Sequence, residues 1–127
     1  FTKLGFHPGF GLTVTLPALI GPSKAALMFY TSRRITGTDA VEMGLADVLV
    51  PQAEVRSAAQ KLAAEIAECA PLGVIATRAT MRDGLADRVL AATNIELEKQ
   101  LALRKTEDFK EGVDSVNQRR AANFKGR

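Results

Sequence analysis

The segment Leu4-Gly5-Phe6-His7-Pro8-Gly9-Phe10-Gly11 decides how this chain is read. Glycine and proline at this density force tight backbone turns. Residues 1–21, with Gly5, Pro8, Gly9, Gly11, Pro17 and Gly21, are therefore expected to form a shaped loop carrying at most a short helix near Leu12–Ile20. Gly9-x-Gly11 lacks the third glycine of a dinucleotide fingerprint, because position 14 is Val14, and no strand of the chain precedes it. There is no Walker lysine either. Alone, a Gly-Phe-Gly turn feeding a helix says only that backbone N–H groups point at something negative.

Downstream of the turn the pattern is mostly helical. Pro22 suits a first helical turn, and Ala25–Tyr30 is apolar nearly all round, which predicts a helix over 22–32 buried on most sides. Thr36-Gly-Thr-Asp39 has capping-box spacing and opens a short helix that Gly44 closes. Ala46–Val50 reads as a brief strand ending at Pro51. Val55, Ala59, Leu62, Ile66 and Cys69 share one stripe of an amphipathic helix over Ala53–Ala70, with Cys69 packing as a small apolar side chain. Pro71 opens a helix bearing Leu72, Ile75, Ala76 and Ala79 that stops near Gly84, and a longer one over Ala86–Lys105 uses Val89, Ile95 and Leu101. Thr106 is an N-cap followed by Glu107 and Asp108, then a buried stripe of Phe109, Val113 and Val116, with Arg119 and Arg120 suiting the last turn. One five-residue strand cannot form a sheet with itself, so the sequence reads as a piece of something larger.

Composition narrows the class. The 127 residues suit one domain, and 46% hydrophobic with 24% charged residues is a globular balance that excludes a disordered tail. No apolar run has the length of a membrane span, and the N-terminus lacks the order of a signal peptide, so a cytoplasmic setting is expected. Cys69 is the single cysteine, which rules out an internal disulfide and Cys or Cys/His zinc sites; no metal is expected. The net charge of +3 is unevenly placed. Before Asp39 there are Lys3, Lys24, Arg33 and Arg34 but no acid, and after Asn117 come Arg119, Arg120, Lys125 and Arg127, again without one. Such ends suit an anionic nucleotide or phosphate ligand, or simply solubility.

Taken in order, LGFHPGFGLTVTLPALIGPSKAALMFYTSRRITGTDAVEMGLADVLVP resembles the second half of the crotonase superfamily, the enoyl-CoA hydratase/isomerase family. The matching motifs are the L-G-x-x-P-G-x-G turn at Leu4–Gly11, Ile20-Gly21, the Ala25–Thr31 helix, and Ala40 through Pro51. Glu111-Gly112 and the RRAANFK run from Arg119 to Lys125 resemble the family's E-G…K-R-x-x-x-F ending. The resemblance implies an α/β fold, the crotonase-like ββα spiral. Residues 1–51 would close the spiral core with its acyl-pocket turn, and residues 52–127 would form the C-terminal helical region that drives trimer formation. It also implies an enzyme of fatty-acid metabolism, a lyase or isomerase that takes an acyl-CoA thioester. Coenzyme A would enter as part of the substrate, with no separate cofactor, and the protein would work as a homotrimer or a dimer of trimers.

In that family two backbone N–H groups hold the thioester carbonyl, and carboxylates move protons beside it. The N–H pair and one hydratase glutamate belong to the preceding half. The second glutamate position matches Phe1, and the acid of related isomerases matches Gly9; neither can titrate, which places two-glutamate hydration in doubt. His7, the single histidine, lies in the turn as a tentative acid–base group, or else as a loop residue bonding backbone. By resemblance the acyl pocket draws on Phe1, Phe6, Pro8, Gly9, Phe10, Gly11 and Tyr30, and the CoA phosphates on Arg119, Phe124 and Lys125. Phe6, Phe10 and Tyr30 read equally as core, and the tail reads equally as solvated. A paralogue that binds CoA esters or a partner without catalysis is the alternative. Nucleic-acid binding is disfavoured: the motifs of dedicated modules are absent and aromatics are only 6%.

Overall fold

Gly11 adopts φ 71°, a left-handed conformation that costs glycine little, and so turns the glycine-rich loop directly into α1 (Leu12–Ile20). Pro22 then occupies the first turn of α2 (Pro22–Thr31), its missing N–H coinciding with a helix start that needs none. The computed structural model describes residues 1–127, and helices and turns account for all of its regular structure. A single 3₁₀ turn, Thr2–Leu4, precedes α1, and a second, Gln52–Glu54, leads into α4.

The caps read from sequence form as expected. Asp39 donates its N–H to the Thr36 hydroxyl at 3.2 Å, while its carboxylate accepts the Thr36 N–H at 2.8 Å, opening α3 (Gly37–Glu42). Then follow α4 (Val55–Ala67), α5 (Pro71–Met81), α6 (Leu85–Leu103) and α7 (Glu107–Asn117). Thr106 caps α7 by accepting the Phe109 N–H at 3.1 Å.

Packing joins the two ends of the chain. α1 lies on α2 within the first 51 residues, while its contact with α6 and the contact of α7 with the 3₁₀ turn Thr2–Leu4 tie the two sides of residue 51 together. Gly112 makes the second of these possible, because any Cβ there would run into the backbone of Leu4. Ile20, Ala25 and Ala92 are the buried apolar side chains, while large apolar side chains on α4, α5 and α6 stay exposed. No helix is long and apolar enough to cross a membrane.

Four expectations are corrected. The brief strand expected at Ala46–Val50 does not form: the segment is irregular. A strand needs a neighbour to take its N–H and C=O groups, and none lies beside it. Val48, Leu49 and Val50 instead border α4 across a shallow cavity of about 340 Å³. The helix at 22–32 is not buried on most sides; Ala25 is, but Tyr30 is 79% exposed. Cys69 is exposed rather than packed, and Val55, Leu62 and Ile66 of its stripe are exposed with it. In α7 the buried positions are the small ones, Gly112 and Ser115, while Val116 is exposed.

Substituting Gly112→Ala should therefore push α7 off the Leu4 backbone and lower unfolding stability by about 1–3 kcal/mol. Gly73→Ala, in α5 with its nearest neighbour 4.0 Å away, should be neutral or stabilising. Chemical denaturation of the two variants beside the parent checks the contrast.

Candidate functional site

The turn between Phe6 and Thr13 rests on α6. Glu96 is 1% exposed, and its carboxylate accepts the N–H of Gly11 at 2.7 Å, the N–H of Thr13 at 2.9 Å and the Thr13 hydroxyl at 2.6 Å. The negative partner of these α1 N-terminal N–H groups is thus a side chain of the protein itself. Burial opposes ionisation of Glu96, yet the Thr13 and Gly11 donors, helped by nearby His7, outweigh it and hold the carboxyl below its ordinary value. One helical turn further on, Gln100 Nε2 donates to the carbonyl of His7 at 3.0 Å.

His7 Nδ1 lies 2.7 Å from the Pro8 carbonyl oxygen. A carbonyl only accepts, so Nδ1 carries the proton; in the neutral ring Nε2 is left as the basic nitrogen. His7 lines a cleft of about 450 Å³ between the turn, α1 and α2, with Phe6, Pro8, Phe29 and Tyr30 among its walls. No Asp or Glu lines it. Phe6 is fixed from behind, its ring centroid 5.4 Å from that of Phe109 and the Arg104 guanidinium 5.4 Å above its face.

The structure divides the expected pocket residues. Phe6, His7, Pro8 and Tyr30 meet in the cleft. Phe1 stays outside it and stacks on Phe6 with ring centroids 6.4 Å apart. Gly9 and Phe10 border a separate small cavity of about 170 Å³ beside Glu96 and Gln100, and Gly11 is buried against Glu96. Phe10 points away, 85% exposed, with φ 63°.

Arg119, Phe124 and Lys125 do not line the cleft. They stand on a tail folded back over α7: Asp108 accepts the N–H groups of Lys125 and Gly126 at 2.7 and 2.8 Å, and Glu111 accepts that of Asn123 at 2.8 Å. Arg120 grips Glu111 at 2.5 and 2.9 Å, and Arg127 pairs with Glu107 at 2.9 Å. Arg119 and Lys125 enter no ion pair. No group of three His, Cys, Asp or Glu side chains converges as a metal site.

The enoyl-CoA hydratase/isomerase family model matches residues 1–127. The chain belongs to this family. It is 33% identical over 121 residues to a crotonyl-CoA hydratase of Syntrophomonas wolfei, covering 95% of this chain and 46% of that protein. It is 32% identical over 126 residues to the 2,3-dehydroadipyl-CoA hydratase of Escherichia coli, covering 98% and 49%. A carnitinyl-CoA hydratase structure from Mycobacterium avium superposes with TM-score 0.89 at 28% identity, over 99% of this chain and 49% of that one. The chain spans about half the length of the curated relatives it matches. The crotonase resemblance is thereby confirmed, and the chain aligns with a helical portion of the fold.

Glu96 and Gln100 were not foreseen from the sequence. On an amphipathic helix a Glu and a Gln four residues apart read as a solvated face, and only the turn lying 85 residues upstream turns them into ligands of backbone.

The tail makes its own pH prediction. The Arg120 guanidinium, then the Asn123 N–H, lower the Glu111 carboxyl from its usual 4.5 to about 2. A carboxyl depressed on folding stabilises above its unfolded value and loses that contribution as pH falls through the folded one. Acid unfolding followed by circular dichroism should show a loss between pH 4.5 and about 2 that is diminished in Glu111→Gln.

Proposed function

We propose that this protein binds an acyl-CoA thioester, with the acyl group in the cleft walled by Phe6, Pro8 and Tyr30 and with His7 as the proton-transfer group. The observation that carries the reading is a mostly apolar cleft of about 450 Å³ in which an imidazole, and no carboxylate, lies among the lining residues. Apolar walls suit an acyl chain, and an imidazole whose Nδ1–H is engaged by the Pro8 carbonyl presents Nε2 as its free nitrogen for proton transfer. The Phe1 side chain stacks on Phe6 where the family's hydratases carry a glutamate, so the reaction on this side of the substrate would run without a second carboxylate. Arg119 and Lys125, the tail cations outside ion pairs, are the groups we assign to the CoA phosphates, with Phe124 between them in the tail. The exposed apolar faces of α4 to α6 suit assembly into trimers or dimers of trimers.

A second reading, CoA-ester binding without turnover, draws on the same missing carboxylates at Phe1 and Gly9. Crotonyl-CoA distinguishes the two: binding with hydration or isomerisation is expected on the first, binding alone on the second. His7→Ala should retain binding and lower kcat by roughly 10²-fold or more. Full turnover by that variant removes His7 from the chemistry, and failure of the parent protein to bind any acyl-CoA removes the thioester reading altogether.

A further inference from the structure

The imidazole of His7 is oriented by a carbonyl, and that carbonyl is oriented by α6. His7 Nδ1 donates to Pro8 O at 2.7 Å, so the ring follows the plane of the Pro8–Gly9 peptide. That peptide lies between two anchors on one helix face. Gln100 holds the His7 carbonyl at 3.0 Å, and Glu96 holds the Gly11 N–H at 2.7 Å. Between the anchors the backbone is strained: Phe10 has φ 63°, a conformation rarely taken by a bulky L residue. Phe10 is also 85% exposed, so its own side chain gains little packing there. Something else must enforce the conformation, and the two α6 side chains supply the bonds on either side of it. The fit around Gly9 is close: a Cβ at that position would meet Gln100 Nε2 at 2.5 Å. Gln100 therefore fills the space that any residue-9 side chain would need.

We propose that Glu96 and Gln100 are positioning residues for His7, clamping the Pro8–Gly11 turn so that the imidazole is held as its Nδ1–H tautomer with Nε2 as the basic nitrogen at the cleft. The catalytic consequence rests on the reading of His7 as the proton-transfer group; the clamp itself does not. Gln100 acts as a donor and Glu96 as an acceptor, so neither replaces the other. Glu96→Gln keeps the shape but sets an amide N–H₂ against one of the donors from Gly11 and Thr13. Gln100→Leu keeps most of the volume and leaves the His7 carbonyl without its partner.

The test is the tautomer of His7, read by two-bond ¹H–¹⁵N spectra of ¹⁵N-histidine-labelled protein at a pH where the ring is neutral. The His7 signal is the one that His7→Ala removes. The parent protein should show a protonated Nδ1 and a pyridine-like Nε2. Both variants should shift the tautomer ratio toward Nε2–H by about two- to tenfold, the range expected for one lost hydrogen bond. With crotonyl-CoA their kcat should fall by a similar factor while KM changes less than twofold. Gln100 is only partly buried, so Gln100→Leu should retain the fold by circular dichroism and would decide the matter even where Glu96→Gln unfolds. An unshifted tautomer ratio in folded Gln100→Leu overturns the clamp. A shifted ratio beside undiminished turnover by His7→Ala supports the clamp and overturns instead the acid–base reading.

Discussion

The buried carboxylate of Glu96 is the constraint on which the rest of the structure depends. Its two oxygens receive three donors from the start of α1, and those donors would otherwise be unsatisfied helix N–H groups and a hydroxyl. A charge placed at 1% exposure is costly unless its hydrogen-bond capacity is met, and here no buried side-chain polar atom lacks a partner. The favourable end of the α1 dipole adds to the same interaction. One side chain therefore fixes the position of α1 on α6 and the conformation of the turn that precedes it.

A second constraint is steric. α7 approaches the 3₁₀ turn Thr2–Leu4 so closely that Gly112 has no room for a side chain, and Gly5 meets the Asp108 backbone in the same way. The family-like L-G turn and E-G pair, separated by more than a hundred residues, are two faces of one contact. This contact also explains why Phe6 is a rigid wall: once the turn is seated, its ring is trapped between Phe1, Phe109 and the Arg104 guanidinium. The tail then folds back along α7 because Asp108 and Glu111 present acceptors to its backbone N–H groups.

Local features were legible in the sequence because their causes are local. Thr36 and Asp39 cap each other across three residues, Thr106 caps α7 in the same way, and Pro22 and Pro71 mark helix starts through their own geometry. The family was legible because several motifs occur in one order. What failed were inferences about burial. An apolar stripe such as Val55, Leu62 and Ile66 states that a helix has a face to cover, not that these 127 residues cover it. Ala46–Val50 failed as a strand for the same reason, since β-branched sequence without a neighbouring strand gains no ladder. Cys69 followed its stripe into solvent.

The candidate site was legible in its composition but not in its support. The absence of acids before Asp39 correctly means that the turn carries no carboxylate of its own, yet it does not mean that no carboxylate reaches the turn. Glu96 arrives from α6 with both oxygens committed to backbone and Thr13, so it stabilises the loop and leaves the cleft without an acid. A carboxylate buried under a turn and one lining a pocket are the same residue type in sequence. They differ in which donors surround them, and those donors come from the opposite end of the chain. The separation matters chemically: with the Glu96 carboxylate engaged beneath the backbone, the cleft is left with an imidazole beside apolar walls and no acid among its lining residues.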